Sequence, residues 1–175
     1  MIGTAFSWLI FSASALVAVV ASILMVTRRN PIHSALWLIV TFFSLAILYL
    51  TLNAQFIAVA QVIVYAGAIM MLIIFVIMLI HLEQGPELTG KFSGGKSIGA
   101  FITVILLLEI AAALLSFQVT GMKGSFTPAV LASAGDVKSV GTVLYGKYMF
   151  PFEIASILLL IGIVGAVVLS KRRKD

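Results

Sequence analysis

Residues 53–82, NAQFIAVAQVIVYAGAIMMLIIFVIMLIHL, decide the fold. The stretch is long enough to cross a bilayer, since about 20 apolar residues rising ~1.5 Å each suffice. Its middle is unusual, holding Gln61, Tyr65 and Gly67 with Ala66 and Ala68 beside them. Tyrosine in membrane helices concentrates at the two interfaces. Tyr65 instead falls near the midplane, where its hydroxyl needs a protein or water partner. Gly67 offers no side chain to pack and is a weak helix former. A span with a polar, glycine-weakened middle is suited to packing against protein and to deforming.

The whole chain fits that setting. Of 175 residues, 62% are hydrophobic and 10% charged, with a mean hydropathy of +1.23. Soluble domains do not have this balance, so an all-α integral membrane protein is expected. There is no cysteine, which excludes disulfides, Cys-ligated zinc or Fe–S clusters and a Cys nucleophile. With 2 histidines a His-based metal site is not expected. The net charge of +5 does not point to nucleic acid, because the basic residues sit at span ends, where membrane orientation places them.

Five spans are predicted, over residues 3–27, 31–52, 54–82, 98–117 and 150–170 of one polytopic domain. No basic residue precedes the first, and no A-x-A site follows it, so it is not expected to be a cleaved signal peptide. Pro31 suits the first turn of the second span, where its missing N–H costs nothing. His33 and Trp37 follow at an interface. Asn53 alone separates spans two and three, a tight antiparallel hairpin. The connection 83–97 is a glycine-rich solvated loop. Within it Gly90-Lys-Phe-Ser-Gly-Gly95-Lys96-Ser97 matches G-x-x-x-x-G-K-[ST]. That pattern cradles phosphate only between a strand and a helix; here membrane spans flank it, so no phosphate site is expected.

Glu109 lies near the centre of span four, where a carboxylate costs roughly 2.5–3.5 kcal/mol on insertion scales and must face protein or water. It is either a proton-relay group or a hydrogen-bonded structural one. In the connection 118–149, Asp136 is a plausible N-cap. Val137, Val140, Leu144 and Tyr148 recur after it at helical spacing, which predicts a short amphipathic helix. Pro151 opens span five. Glu153 in its first turn suits the helix dipole, and Gly162 and Gly165 permit close helix contact. One side of the membrane receives Arg28, Arg29, Lys91, Lys96 and the four basic residues 171–174; the other receives Lys123, Lys138 and Lys147. The basic excess places the C-terminus in the cytoplasm and the N-terminus outside.

The segment Arg29-Asn-Pro-Ile-His-Ser-Ala35, the block Ala54–Leu82 around VIVYAGAIMMLIIFVIML, and the ending GDVKSVGTVLYGKYMFPFEIASILLLIGIVGAVVLSKR resemble the chain J (subunit 6) family of NADH–quinone oxidoreductase, respiratory complex I. The resemblance covers nearly the whole chain in order. It implies a bacterial inner-membrane subunit with no cofactor of its own. NADH, FMN, Fe–S clusters and quinone would be bound by other subunits, with A, H and K as neighbours. It also implies a π-bulge in the third helix around Tyr65, Ala66, Gly67 and Ala68, a kind of feature often found at functional positions. Conversion of that bulge to regular helix would move Met70, Met71, Ile74 and Phe75 into or out of a water path, coupling quinone reduction to proton translocation. Gln61, Gln55, Glu109 and Glu153 are the proton-path candidates. Gln55 departs from relatives that carry a carboxylate there, and an amide cannot titrate near neutrality. The competing readings are a subunit of a ferredoxin-dependent relative, a purely structural subunit, and a stand-alone secondary transporter, although no internal repeat of the transporter kind is evident.

Overall fold

The computed structural model describes residues 2–80, 94–116, 127, 131 and 133–171. Every regular element among them is helical, and five helices are long and apolar enough to cross a membrane. This is the arrangement hydrocarbon permits, since a helix satisfies its backbone groups within itself. The chain divides into two compact units, Met1–Ile80 with Phe126–Asp175, and His81–Ser125.

In the first unit, α1 (Ile2–Thr27) and α2 (Pro31–Thr51) are joined by residues 28–30. Pro31 occupies the first helical position, as its sequence predicts, and the Ile32 N–H donates to Asn30 Oδ1 (2.9 Å), so Asn30 caps the entry to α2. Helix α1 packs along α2. The buried residues are small: Ser14, Ala18 and Ala21 on α1, and Ala35, Thr41, Ser44 and Ala46 on α2. Small side chains let two backbones approach closely, which is how helices associate when lipid removes the hydrophobic drive between them. The Thr41 and Ser44 hydroxyls donate to the carbonyls of Trp37 (3.0 Å) and Val40 (2.9 Å), so neither is buried unpaired.

The turn after α2 is tight. The Asn53 N–H donates to Leu50 O (3.0 Å) and the Ala54 N–H to Tyr49 O (3.0 Å). Asn53 has φ 59°, a left-handed conformation that asparagine tolerates better than most residues. The third span then runs from Gln55 to Leu79. It consists of α3 (Gln55–Ala60), a π segment (Gln61–Ile69) and α4 (Met70–Leu79), all packed against α2. It stops short of the predicted residue 82, because Ile80 is extended (φ −85°, ψ 112°).

The remainder of this unit is α6 (Asp136–Gly146), packed on α3, and α7 (Met149–Ser170), packed on α6. Two expectations are corrected here. Gly135, not Asp136, is the N-cap of α6; its φ of 83° and ψ of 147° suit glycine, and Asp136 becomes the first helical residue. Glu153 lies beyond the first turn of α7, which starts at Met149. Pro151 is accommodated inside that turn, where amides lack intrahelical acceptors in any case, and the first bond is donated by the Phe152 N–H to Tyr148 O (3.0 Å). Tyr145 and Phe152 meet edge-on at 5.2 Å across the α6–α7 junction.

The second unit contributes α5 (Gly94–Ser116). The helix begins before residue 98, so Gly94–Ser97 of the phosphate-loop match are its first residues, and the rest of the match lies outside the described residues.

The left-handed Asn53 gives a direct test. Asn53→Gly is expected to leave the hairpin intact. Asn53→Ile places a β-branched residue at positive φ, at ~1–2 kcal/mol. Thermal unfolding midpoints of the detergent-purified protein should show Gly near wild type and Ile clearly lower.

Candidate functional site

The π segment begins at Gln61 and ends at Ile69. The backbone enters it through Ala60 (φ −60°, ψ −39°) and leaves through Met70 (φ −69°, ψ −36°) in ordinary right-handed helical geometry. Nothing breaks the helix; its hydrogen bonds are re-addressed. The Met70 N–H is shared between Tyr65 O, five residues back, and Gly67 O, three back. An i→i−5 bond encloses one residue more than the regular i→i−4 bond, and such segments are rare.

Gly67 is the residue this widening tolerates. A Cβ built on it would lie 3.2 Å from Val62 O, the carbonyl five residues earlier. In a regular α-helix alanine meets no such obstacle and is the best helix former. A side chain at this position would therefore require the Val62 carbonyl to give by a few tenths of an ångström.

The ends of the segment are its buried points. Gln61 is 7% exposed and Met70 only 1%, the most deeply buried large side chain among the described residues. Tyr65 is exposed, with its ring edge-on to Phe42 of α2 at 5.9 Å. Ala66 is half-buried, and Gly67 and Ala68 are exposed. Along α4 the shielded positions are Met70, Ile74 and Ile77, spaced i, i+4, i+7 on one face. Met71 (72% exposed) and Phe75 (55%) lie on the adjacent face. Ile77 belongs to this set but was absent from the sequence candidates, although its spacing from Met70 was there to be seen. Phe42 had no signal in the sequence, because its part depends on where α2 meets the π segment.

The polar candidates do not gather at one place. Gln55 is the exposed first residue of α3, roughly 9 Å along the axis from Gln61 at ~1.5 Å per residue. Glu153 is exposed on α7, where its backbone carbonyl accepts from Ser156 Oγ (2.7 Å). Glu109 sits on α5 in the other unit. Among the described residues no group of three or more His, Cys, Asp or Glu could hold a metal ion. The arrangement is a wide helical segment between buried ends, followed by a helix of bulky apolar side chains.

The family model for NADH-ubiquinone/plastoquinone oxidoreductase chain 6 matches residues 21–169, which include every site residue just described. The chain belongs to this family. Its relatives include NADH-quinone oxidoreductase subunit J of Rhodobacter capsulatus, 32% identical over 94% of this chain and 81% of the relative. Subunit J of Escherichia coli is 36% identical over 89% of this chain and 82% of the relative. NAD(P)H-quinone oxidoreductase subunit 6 of the Paulinella chromatophora chromatophore is 36% identical over 93% and 77%. Family membership and five apolar helices make the chain a multi-pass membrane protein.

Gly67→Ala should convert part of the π segment to α-helix. Crowding of this kind costs ~1–3 kcal/mol, and ~1.4 kcal/mol is a tenfold change in an equilibrium. The measurement is a structure of the variant: the amide after the segment should bond four residues back instead of five. An unchanged i→i−5 bond would show that the contact relaxes by other means.

Proposed function

We propose that this chain is a non-redox, membrane-arm subunit of a proton-pumping NADH–quinone oxidoreductase. Its part is to couple quinone reduction to proton translocation through a π-to-α transition in the third helix. Family membership supports the assignment to the complex. The observation that carries the mechanism is the π segment bounded by buried Gln61 and Met70.

The step follows from helix geometry. Moving one residue from the wide register to the regular one turns everything beyond it by about 100° and shifts it by ~1.5 Å. Successive residues are themselves about 100° apart. A one-residue turn from π to α therefore carries Met70, Ile74 and Ile77 to the places that Met71, Phe75 and Met78 held, and brings Ile69, Ile73 and Val76 to the face they leave. Flexible thioethers suit a surface that must repack. The turn puts Ile74 where the Phe75 ring stood and carries that ring a further ~100° round the helix, which changes the bulk presented to a water path between the quinone-reducing side and the proton channels. Gln61 can hydrogen-bond water at the start of this path but cannot titrate near neutrality. Tyr65 offers a hydroxyl to water or a neighbouring subunit, and Glu109 is the carboxylate available for proton handling on α5. NADH oxidation, flavin, Fe–S clusters and quinone belong to other subunits, with A, H and K as the neighbours of this one.

The first experiment is purification through a C-terminal tag in mild detergent. The chain should run in a large assembly with NADH–quinone reductase activity. Activity with ferredoxin alone would assign the related complex, and a chain running alone would overturn the subunit reading. In the assembled complex, Gly67→Ala should lower protons moved per electron severalfold, while Tyr65→Phe, which keeps the ring on Phe42, should assemble normally. Lost assembly in both would favour a packing role.

Because the chain has no cysteine, single introduced cysteines report orientation without background. The basic excess places residue 175 in the cytoplasm of a bacterium. A cysteine there should resist a membrane-impermeant maleimide applied to intact cells and react once they are opened; labelling in intact cells would reverse the orientation.

A further inference from the structure

We propose that Asp136 is a positioning residue that clamps the Gln55 end of the third helix, so that rotation in the π segment is delivered to α4. The purpose assigned to the clamp rests on the coupling role proposed above; the clamp itself rests on the geometry of α3 and α6.

The Phe56 N–H, in the first turn of α3, donates to Asp136 Oδ2 at 2.8 Å. This turn has no cap of its own, because Ala54 stands at the capping position and its side chain accepts nothing. Asp136, 80 residues away in sequence, supplies the missing acceptor. A carboxylate is well suited to that place, where free amides and the positive end of the helix dipole meet.

Asp136 is available because it does not cap its own helix. Gly135 takes the N-cap of α6 at φ 83°. The turn is fixed by Ser139, which is 5% exposed and donates to Gly135 O through both its N–H (3.1 Å) and its Oγ (2.8 Å). The Gly135 N–H in turn donates to Leu131 O (2.9 Å). The carboxylate is thus carried on a braced turn and aimed at a neighbouring helix.

The mechanical result is one-sided. The Gln55 end is held by the Asn53 turn, through the bond from the Ala54 N–H to Tyr49 O, and by Asp136. A helix free at both ends would share a register change between its halves. With one end tied, the turn of about 100° per residue is expressed in α4.

The test is made in the intact complex with Asp136→Ala and Asp136→Asn. Hydrogen exchange of the amides at the start of α3 and protons moved per electron are both measured. Asp136→Ala should exchange about tenfold faster there, the order expected for a lost helix cap, and should move fewer protons per electron. Asp136→Asn keeps an acceptor oxygen and should restore most of both. Asp136→Ser, too short to span the gap, reads the same loss should the alanine variant not assemble. Unchanged exchange in the Ala or Ser variant overturns the clamp. An Asn variant as impaired as Ala also overturns it, since an acceptor oxygen at that place would then not hold the turn. Faster exchange with an unchanged proton ratio supports the clamp and overturns the coupling role.

Discussion

In hydrocarbon every backbone N–H must find its acceptor within protein, because no water is there to replace it. That constraint governs how a membrane helix can change shape. It cannot melt and re-form through solvated intermediates, but it can exchange one acceptor for another. The π segment meets the condition. Its exit amide at Met70 is already shared between two carbonyls, so a change of register redistributes bonds rather than abandoning them. A glycine at position 67 fits the same logic, since the i−5 carbonyl that defines the wide register approaches the space a side chain would fill.

Packing in the first unit differs between its helix pairs. The α1–α2 pair is joined through alanine and serine, and close backbone contact of this type resists rotation because every small residue is a point of approach. The third helix, by contrast, presents few buried side chains. Its buried side chains are Ala58, Gln61 and Met70, and Phe42 of α2 meets Tyr65 between the last two.

Hydropathy alone located the five spans, because length and apolar content are properties of contiguous sequence. The start of α2 was equally legible, since Pro31 marks its own place in the first turn. The π segment was only half legible. Gly67 and Tyr65 marked a weakened middle, but its position came through resemblance to a family, because no residue pattern separates a wide helix from a regular one. Asp136 was misplaced for a related reason. An acidic residue before a helical pattern suggests a local cap, and nothing in the sequence reveals that Gly135 takes that duty and frees the carboxylate for a distant helix. Glu153 fell outside its predicted turn because Pro151 was taken as the helix start, when a proline fits anywhere in the first turn.

The distance along the chain between the two partners of that bond also sets an order of events in time. Phe56 is synthesised 80 residues before Asp136. At ~5–20 residues per second, roughly 4–16 s separate them. For that interval the third helix exists without its latch, beside an α1–α2 hairpin already able to pack. The start of the third helix is thus made early without its distant acceptor, and Asp136 arrives late, carried by one of the last elements to emerge.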